Sequence, residues 1–230
     1  MRITVRHHFD FGVDRQIVGD DLVRAEAWDA LRTRTEGAFS VAVSRDELER
    51  TADGRPEIGD RARAIERWLA QRDADSLASY GVGGGVLEAW LLRLRVGRRL
   101  SMTDYAPQTV ERLQMLFPEA EVAQHDLLTD APLDAQVQLF HRIDTEFTDE
   151  EWRGVLRRFA GETILVVATE IATTKRLVQE LMLRTRNRHL TRAGWLRTRG
   201  SFEALWRDTH VAEPLTFHDL DGWALTPRGA

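Results

Sequence analysis

Ser79-Tyr80-Gly81-Val82-Gly83-Gly84-Gly85-Val86-Leu87-Glu88 is the stretch that decides how the rest of the chain is read. Three glycines alternate, Gly81, Gly83 and Gly85, between a strand-like run at Asp75–Tyr80 and an apolar helical run at Gly85–Arg95. Glycine permits a tight turn and lets a ligand approach the backbone, and the start of the following helix offers unpaired N–H groups. Asp104 ends the next strand-like run, Arg99–Asp104, 19 residues after Gly85. Asp126 follows the third, Glu121–His125, another 22 residues on. A carboxylate at the second of these strand ends can accept hydrogen bonds from both hydroxyls of a ribose. A glycine turn and two acids at three successive strand ends outline a nucleoside-shaped pocket. The dinucleotide fingerprint G-x-G-x-x-G requires glycine or alanine at position 86. Val86 stands there, which tells against a nicotinamide-dependent oxidoreductase.

Working outward, strand and helix patterns alternate. Pro107–Phe117 reads as a helix with proline at an acceptable first turn, and Ala135–Phe140 as a strand. Thr148 with Glu151 forms a capping box that opens a helix to Phe159. Glu162–Thr169 is a continuous β-branched run suited to a buried parallel strand. A long helix is expected from about Thr173, and Ser201 is expected to cap a short helix holding Phe202, Leu205 and Trp206. Two strands, His210–His218 and Gly222–Thr226, close the chain around a tight Asp219-Leu220-Asp221-Gly222 turn. The order implies an α/β, Rossmann-like, doubly wound and mostly parallel seven-stranded sheet with an antiparallel last strand. Ligands in such sheets bind at the carboxyl ends of the strands. The first 72 residues read differently. Met1–Arg6 alternates as a strand, and helices are expected at Asp20–Arg34, after the Ser44/Glu47 capping box, and at Ile58–Arg72. The division is thus 1–72, a mainly helical segment expected to cover the pocket, and 73–230, the α/β unit. Trp28, Trp68 and Trp90 fall on apolar helix faces and read as core.

The 230 residues suit one large domain with a helical appendage. There is no cysteine, which excludes disulfides, thiolate zinc sites and a cysteine nucleophile. No apolar run is long enough to span a membrane. MRITVRHHFDF has no apolar signal core, so the cytoplasm is the expected compartment. A net charge of −5 argues against nucleic acid as the main partner. His7 and His8 are adjacent on a strand and so point to opposite faces; no metal site is expected. The charge is uneven. Lys175, the only lysine, opens a stretch to Arg207 with nine basic residues against Glu180 and Glu203. Arg184, Arg186, Arg188 and Arg192, with His189 among them, are dense enough to contact phosphate or carboxylate. An anionic small molecule is preferred to RNA as their partner. The alternative is a basic surface docked on the acidic remainder, or on a second subunit of a homodimer.

From Ala74 to Pro227 the chain resembles the class I S-adenosylmethionine-dependent methyltransferases. The resemblance implies that Gly81, Gly83 and Gly85, with Ser79 and Tyr80 before them, wrap the methionine part of the cofactor. It implies that Asp104 holds the ribose, with Tyr105 beside it at the adenine. It also implies that Asp126, with His125 and Leu127, faces the adenine amino group. There are departures. Members of that family usually carry an acid two positions before the first glycine, where this chain has Ser79. The segment after the fourth strand, His141-Arg142-Ile143-Asp144-Thr145-Glu146, is not an Asn/Asp-Pro-Pro-Tyr signature. Histidine titrates near neutrality, and His141 at a strand end is the candidate general base. Asp144 and Glu146 are candidates for orienting a substrate, or loop acids ahead of the capping box. The resemblance implies methyl transfer to oxygen or nitrogen of a small organic molecule. The alternatives are a binding module that has kept the fold without catalysis, and an RNA methyltransferase using Arg184–Arg199.

Overall fold

The computed structural model describes residues 2–9, 41–94, 99–186 and 191–229. The helix expected at Asp20–Arg34, with Trp28, lies outside the described residues. The chain opens with β1 (Thr4–Phe9). Two helices follow, α1 (Arg45–Asp53), capped by the Ser44 hydroxyl on the Glu47 N–H, and α2 (Pro56–Ala70), with proline in its first turn. Then come β2 (Ser76–Tyr80), α3 (Val86–Arg93), β3 (Arg99–Asp104), α4 (Pro107–Leu116) and β4 (Glu121–Gln124). β5 (Val137–His141) leads to α5 (Asp149–Arg158), whose Thr148/Glu151 capping box forms as the sequence predicts. β6 (Ile164–Val167), α6 (Thr174–Arg186), β7 (Thr191–Arg197) and α7 (Arg199–Trp206) precede the closing hairpin of β8 (His210–Phe217) and β9 (Leu220–Pro227).

Seven strands form one sheet in the order β4-β3-β2-β5-β6-β9-β8. The pairs β2–β3, β2–β5, β3–β4 and β5–β6 are parallel, while β9 runs antiparallel to both β6 and β8. The strand order reverses between β2 and β5, so the carboxyl ends of these two strands flank the crevice where ligands bind in such sheets. Side chains alternate across the sheet. Leu77, Met102, Leu139 and Val167 face one core together with α1, α2, α3 and α4. Ala78, Tyr80, Phe140 and Val166 face the other, against Trp152 of α5 and Phe202 and Trp206 of α7.

Three local expectations are corrected. The short helix after β7 begins at Arg199 with Thr198 at its N-cap, and Ser201 sits inside the first turn, its hydroxyl 3.2 Å from that of Thr198. The closing turn is two residues, His218 and Asp219, with His218 at φ 57° and Phe217 paired to Leu220. Gly222 is therefore in β9, and it is needed for approach rather than for turning. A Cβ there would stand 2.3 Å from the Val166 carbonyl oxygen and 2.7 Å from the Phe217 ring. The turn is held from α2 instead: buried Arg61 donates two hydrogen bonds of 2.7 Å to the Asp219 carboxylate, which keeps Asp219 down at about 2. Third, the run after α6 contains a strand. β7 pairs antiparallel with β1, Thr4 against Arg197 and Val5 against Leu196. The start of the chain thus packs on its last third, and Ile3 N–H reaches Thr198 Oγ1 across 195 residues of sequence. Among the described residues no helix is long and apolar enough to cross a membrane.

Candidate functional site

The glycine turn adopts the geometry its composition suggests. Gly81, Gly83 and Gly85 have φ of 63°, 61° and 73°, a region that costs an L-residue roughly 1–2 kcal/mol. Space closes the same positions to side chains. A Cβ on Gly81 would lie 2.7 Å from Ile143 Cγ2, and one on Gly85 2.6 Å from the buried Phe117 ring. Gly85→Ala should therefore lower stability by about 2–4 kcal/mol, combining backbone strain with overpacking. Urea unfolding checks this, and an unchanged midpoint would remove the steric account of the turn.

The turn is tied to β3. Val82 N–H donates to the Thr103 carbonyl at 3.0 Å, and Gly83 N–H to Asp104 Oδ2 at 3.0 Å. The other oxygen, Oδ1, accepts from Ala106 N–H at 3.0 Å at the start of α4. Asp104 is thus fixed at the carboxyl end of its strand by two backbone donors. At the end of β4, Asp126 Oδ1 accepts from Leu128 N–H at 2.8 Å, and Asp126 N–H donates to Asp130 Oδ2 at 2.9 Å. His125 Nε2 lies 2.9 Å from the Ala131 carbonyl, which orients its ring.

These groups open on one cleft lined by Gly81, Asp104, Tyr105, His125, Asp126, Leu127, Leu128, Ile143, Glu146 and Phe147. Its apolar wall of Leu127, Leu128, Ile143 and Phe147 continues the core on the α5 side of the sheet. Of the residues expected at a cofactor, the structure thus gathers Gly81, Asp104, Tyr105, His125, Asp126 and Leu127. Ser79, Tyr80, Gly83 and Gly85 lie off the cleft wall. The Tyr80 side chain turns into the core, donating to Gln138 Oε1 at 2.7 Å and accepting from Leu133 N–H at 2.9 Å. Ser79 turns the other way, and its hydroxyl donates to Glu88 Oε1 at 2.7 Å.

His141 is not on the cleft wall either. It alternates with Val137 and Leu139 and so faces the α2 side of the sheet. Its Nε2 is buried without a hydrogen-bond partner. Burial, with the charges of Arg142 and Arg61, pushes it down to about 3. Asp144 is buried beneath the wall, where its Oδ1 accepts from the N–H and the hydroxyl of Thr169, both at 2.7 Å. It is a loop anchor, not a substrate contact. Leu128, Ile143, Glu146 and Phe147 are the cleft residues that the cofactor pattern alone did not single out. The wall they form is itself held from β7. Arg197 donates to the Asp149 carboxylate at 2.8 Å and to the carbonyls of Asp144 and Phe147. None of the lining residues comes from α1 or α2, which pack on α3 rather than over the cleft. Of the basic stretch, Arg188 and His189 lie outside the described residues.

The sequence matches no family model and no curated protein. The structure is similar to human N-acetylserotonin methyltransferase in complex with SAM (TM-score 0.59, 17% identity, covering 80% of this chain and 55% of that one). It is similar to the mitomycin 7-O-methyltransferase MmcR (TM-score 0.55, 19% identity, covering 75% and 53%). It is also similar to PigF with SAH (TM-score 0.61, 13% identity, covering 87% and 62%). The chain spans little more than half the length of these structures. The fold is that of the class I S-adenosylmethionine-dependent methyltransferases.

Proposed function

We propose that this protein transfers the methyl group of S-adenosylmethionine to an oxygen or nitrogen of a small organic molecule. The observation that carries this reading is the convergence of Gly81, the first glycine of the turn, the Asp104 carboxylate and the Asp126 loop on one cleft. The residues present fit the cofactor. Gly81 leaves its backbone open to the cleft, where a Cβ would press on the Ile143 wall, and Asp104 is a carboxylate held rigidly at the end of β3, suited to a ribose. When bound, the cofactor supplies an electrophilic methyl group on a sulfonium. In this reading Asp104 accepts from the ribose hydroxyls, while Tyr105, Leu127 and Leu128 enclose the base. Asp126 and His125 face its amino edge, and the backbone at Gly81 takes the methionine part.

The protein's share of the chemistry is to position an acceptor in line with the methyl group and exclude water. Ile143 and Phe147 supply an apolar seat for it. A neutral amine needs no more than this, whereas a hydroxyl needs a proton acceptor. His141, the base expected from the sequence, is off the wall and held so low that it binds protons poorly at neutral pH. Glu146 is the carboxylate on the Ile143–Phe147 side of the cleft, and we assign it the proton of a hydroxyl acceptor.

Calorimetric titration with S-adenosylmethionine and S-adenosylhomocysteine tests the reading, and saturable binding of both near one per chain is expected. Absence of binding would overturn it. Binding of both, with no turnover on hydroxyl or amine acceptors, would favour a module that keeps the ligand and not the reaction.

A further inference from the structure

The acid absent from position 79 has a counterpart on the far side of the glycine turn. Glu88 lies in the first turn of α3 and is 2% exposed; Ser79, near the end of β2, is 1% exposed. Their 2.7 Å hydrogen bond joins the strand that enters the turn to the helix that leaves it, closing the turn like a clasp. Packing alone does not call for a carboxyl here, since the neighbouring Leu87, Ala89 and Leu91 are equally buried and apolar. Among the described residues Glu88 forms no ion pair with arginine, lysine or histidine. The charged neighbour that acts on it is Asp104 of β3, of like sign. Several charges on the elements packed against α3 are engaged elsewhere, Arg61 of α2 with Asp219 among them. Glu49 and Asp53 of α1 pair with Arg93, and Asp60 of α2 with Arg63. A buried carboxyl beside a second one, without a cation, is an unfavourable arrangement. A ligand that brings a positive charge to the turn would relieve it.

We infer that Glu88 is a positioning residue for the cofactor, supplying from α3 the negative charge that Ser79 lacks and thereby favouring cationic S-adenosylmethionine over S-adenosylhomocysteine. This rests on the function proposed above. Burial, reinforced by Asp104, raises Glu88 to about 7, so it changes charge near neutrality. A cation at the turn prefers the ionised form. Binding of S-adenosylmethionine should therefore release a proton and tighten as pH rises through about 7, more than binding of the uncharged thioether does.

The test is calorimetry on the full chain with both ligands at about pH 6 and about pH 8. The parent should bind S-adenosylmethionine about five- to tenfold more tightly at the higher pH, with a smaller change for S-adenosylhomocysteine. Glu88→Gln keeps an acceptor for the Ser79 hydroxyl but carries no charge. It should lose the pH dependence and about tenfold of the preference for the sulfonium ligand. A purely structural role would leave that preference unmoved. Folding is monitored separately. Because Glu88 is raised in the folded protein, stability falls as pH climbs from the usual carboxylate range through about 7. Glu88→Gln should therefore melt no lower than the parent at about pH 8. The double variant Ser79→Asp with Glu88→Gln should restore the preference. A Glu88→Gln protein that keeps both the pH dependence and the preference overturns the inference while the proposed function stands. A parent that binds neither ligand overturns both.

Discussion

Asp104→Ala should weaken binding of S-adenosylhomocysteine about a hundredfold in calorimetric titration, with the fold retained. Asp104 is buried at the end of β3 and faces the cleft. Its two oxygens accept from Gly83 N–H and Ala106 N–H, each at 3.0 Å. A carboxylate offers about four acceptor positions, so it can serve the backbone and a ribose together. Hydrogen bonds to a charged acceptor contribute about 1.5–3 kcal/mol each. Two of them lost, at the lower end of that range, give the stated factor, at about 1.4 kcal/mol per tenfold. The variant also frees the Gly83 N–H and the register of the turn, so the loss should fall on the whole ligand and not on the ribose alone. Asp104→Asn keeps one carbonyl acceptor but sets an amide donor against a backbone N–H. Its affinity should fall between those of the parent and the Asp104→Ala variant. Unchanged affinity in both variants would show that the cleft does not hold a ribose at Asp104.

The second large effect lies away from the ligand. Arg197→Ala should destabilise the protein by about 2–4 kcal/mol in urea unfolding, the cost of removing a buried, charged donor from an ion pair with partly exposed Asp149 and from two loop carbonyls. The Arg197 side chain is 0% exposed. It bonds the Asp149 carboxylate and the carbonyls of Asp144 and Phe147, so its removal takes a charged donor from three acceptors, of which the Asp144 carbonyl keeps Trp152 Nε1 and the Asp149 carboxylate keeps the Thr4 hydroxyl. Arg197→Lys keeps the charge but cannot reproduce a planar fork that reaches three acceptors, and should recover only a minor part. Glu146 and Phe147 belong to the same loop, and Trp195 N–H of β7 also donates to the Thr145 carbonyl, at 2.7 Å. Ligand affinity should therefore fall with stability. A loss under about 1 kcal/mol, within the range of an exposed pair, would show that β7 does not support the cleft.

The glycine turn, Asp104 and Asp126 were legible because each depends on a few neighbouring residues. Alternate glycines between a strand and a helix force a tight bend, and acids at strand ends arrive on the same edge of any parallel sheet. The seven strands were legible for the same reason, since β-branched and alternating runs carry their own period. The role given to His141 failed on parity. Position 141 is at the expected strand end, but alternation from Val137 and Leu139 turns it toward α2, away from the cleft. The closing turn shifted because close approach to Val166 explains Gly222 better than turning does. No local pattern announces that β7 pairs with β1, because the partners are nearly the whole chain apart.

By itself, then, the sequence determined the doubly wound sheet, its antiparallel close and the sheet edge that carries Gly81, Asp104 and Asp126, since local period and strand order suffice for these. The tertiary structure decided which side chains reach that edge. It turned Ser79 to Glu88, Tyr80 into the core and His141 to the far face, and it brought Arg197 under Asp144 and Phe147. The reason is that the direction of a side chain and the charge beside it depend on partners distant in sequence, which only packing brings together.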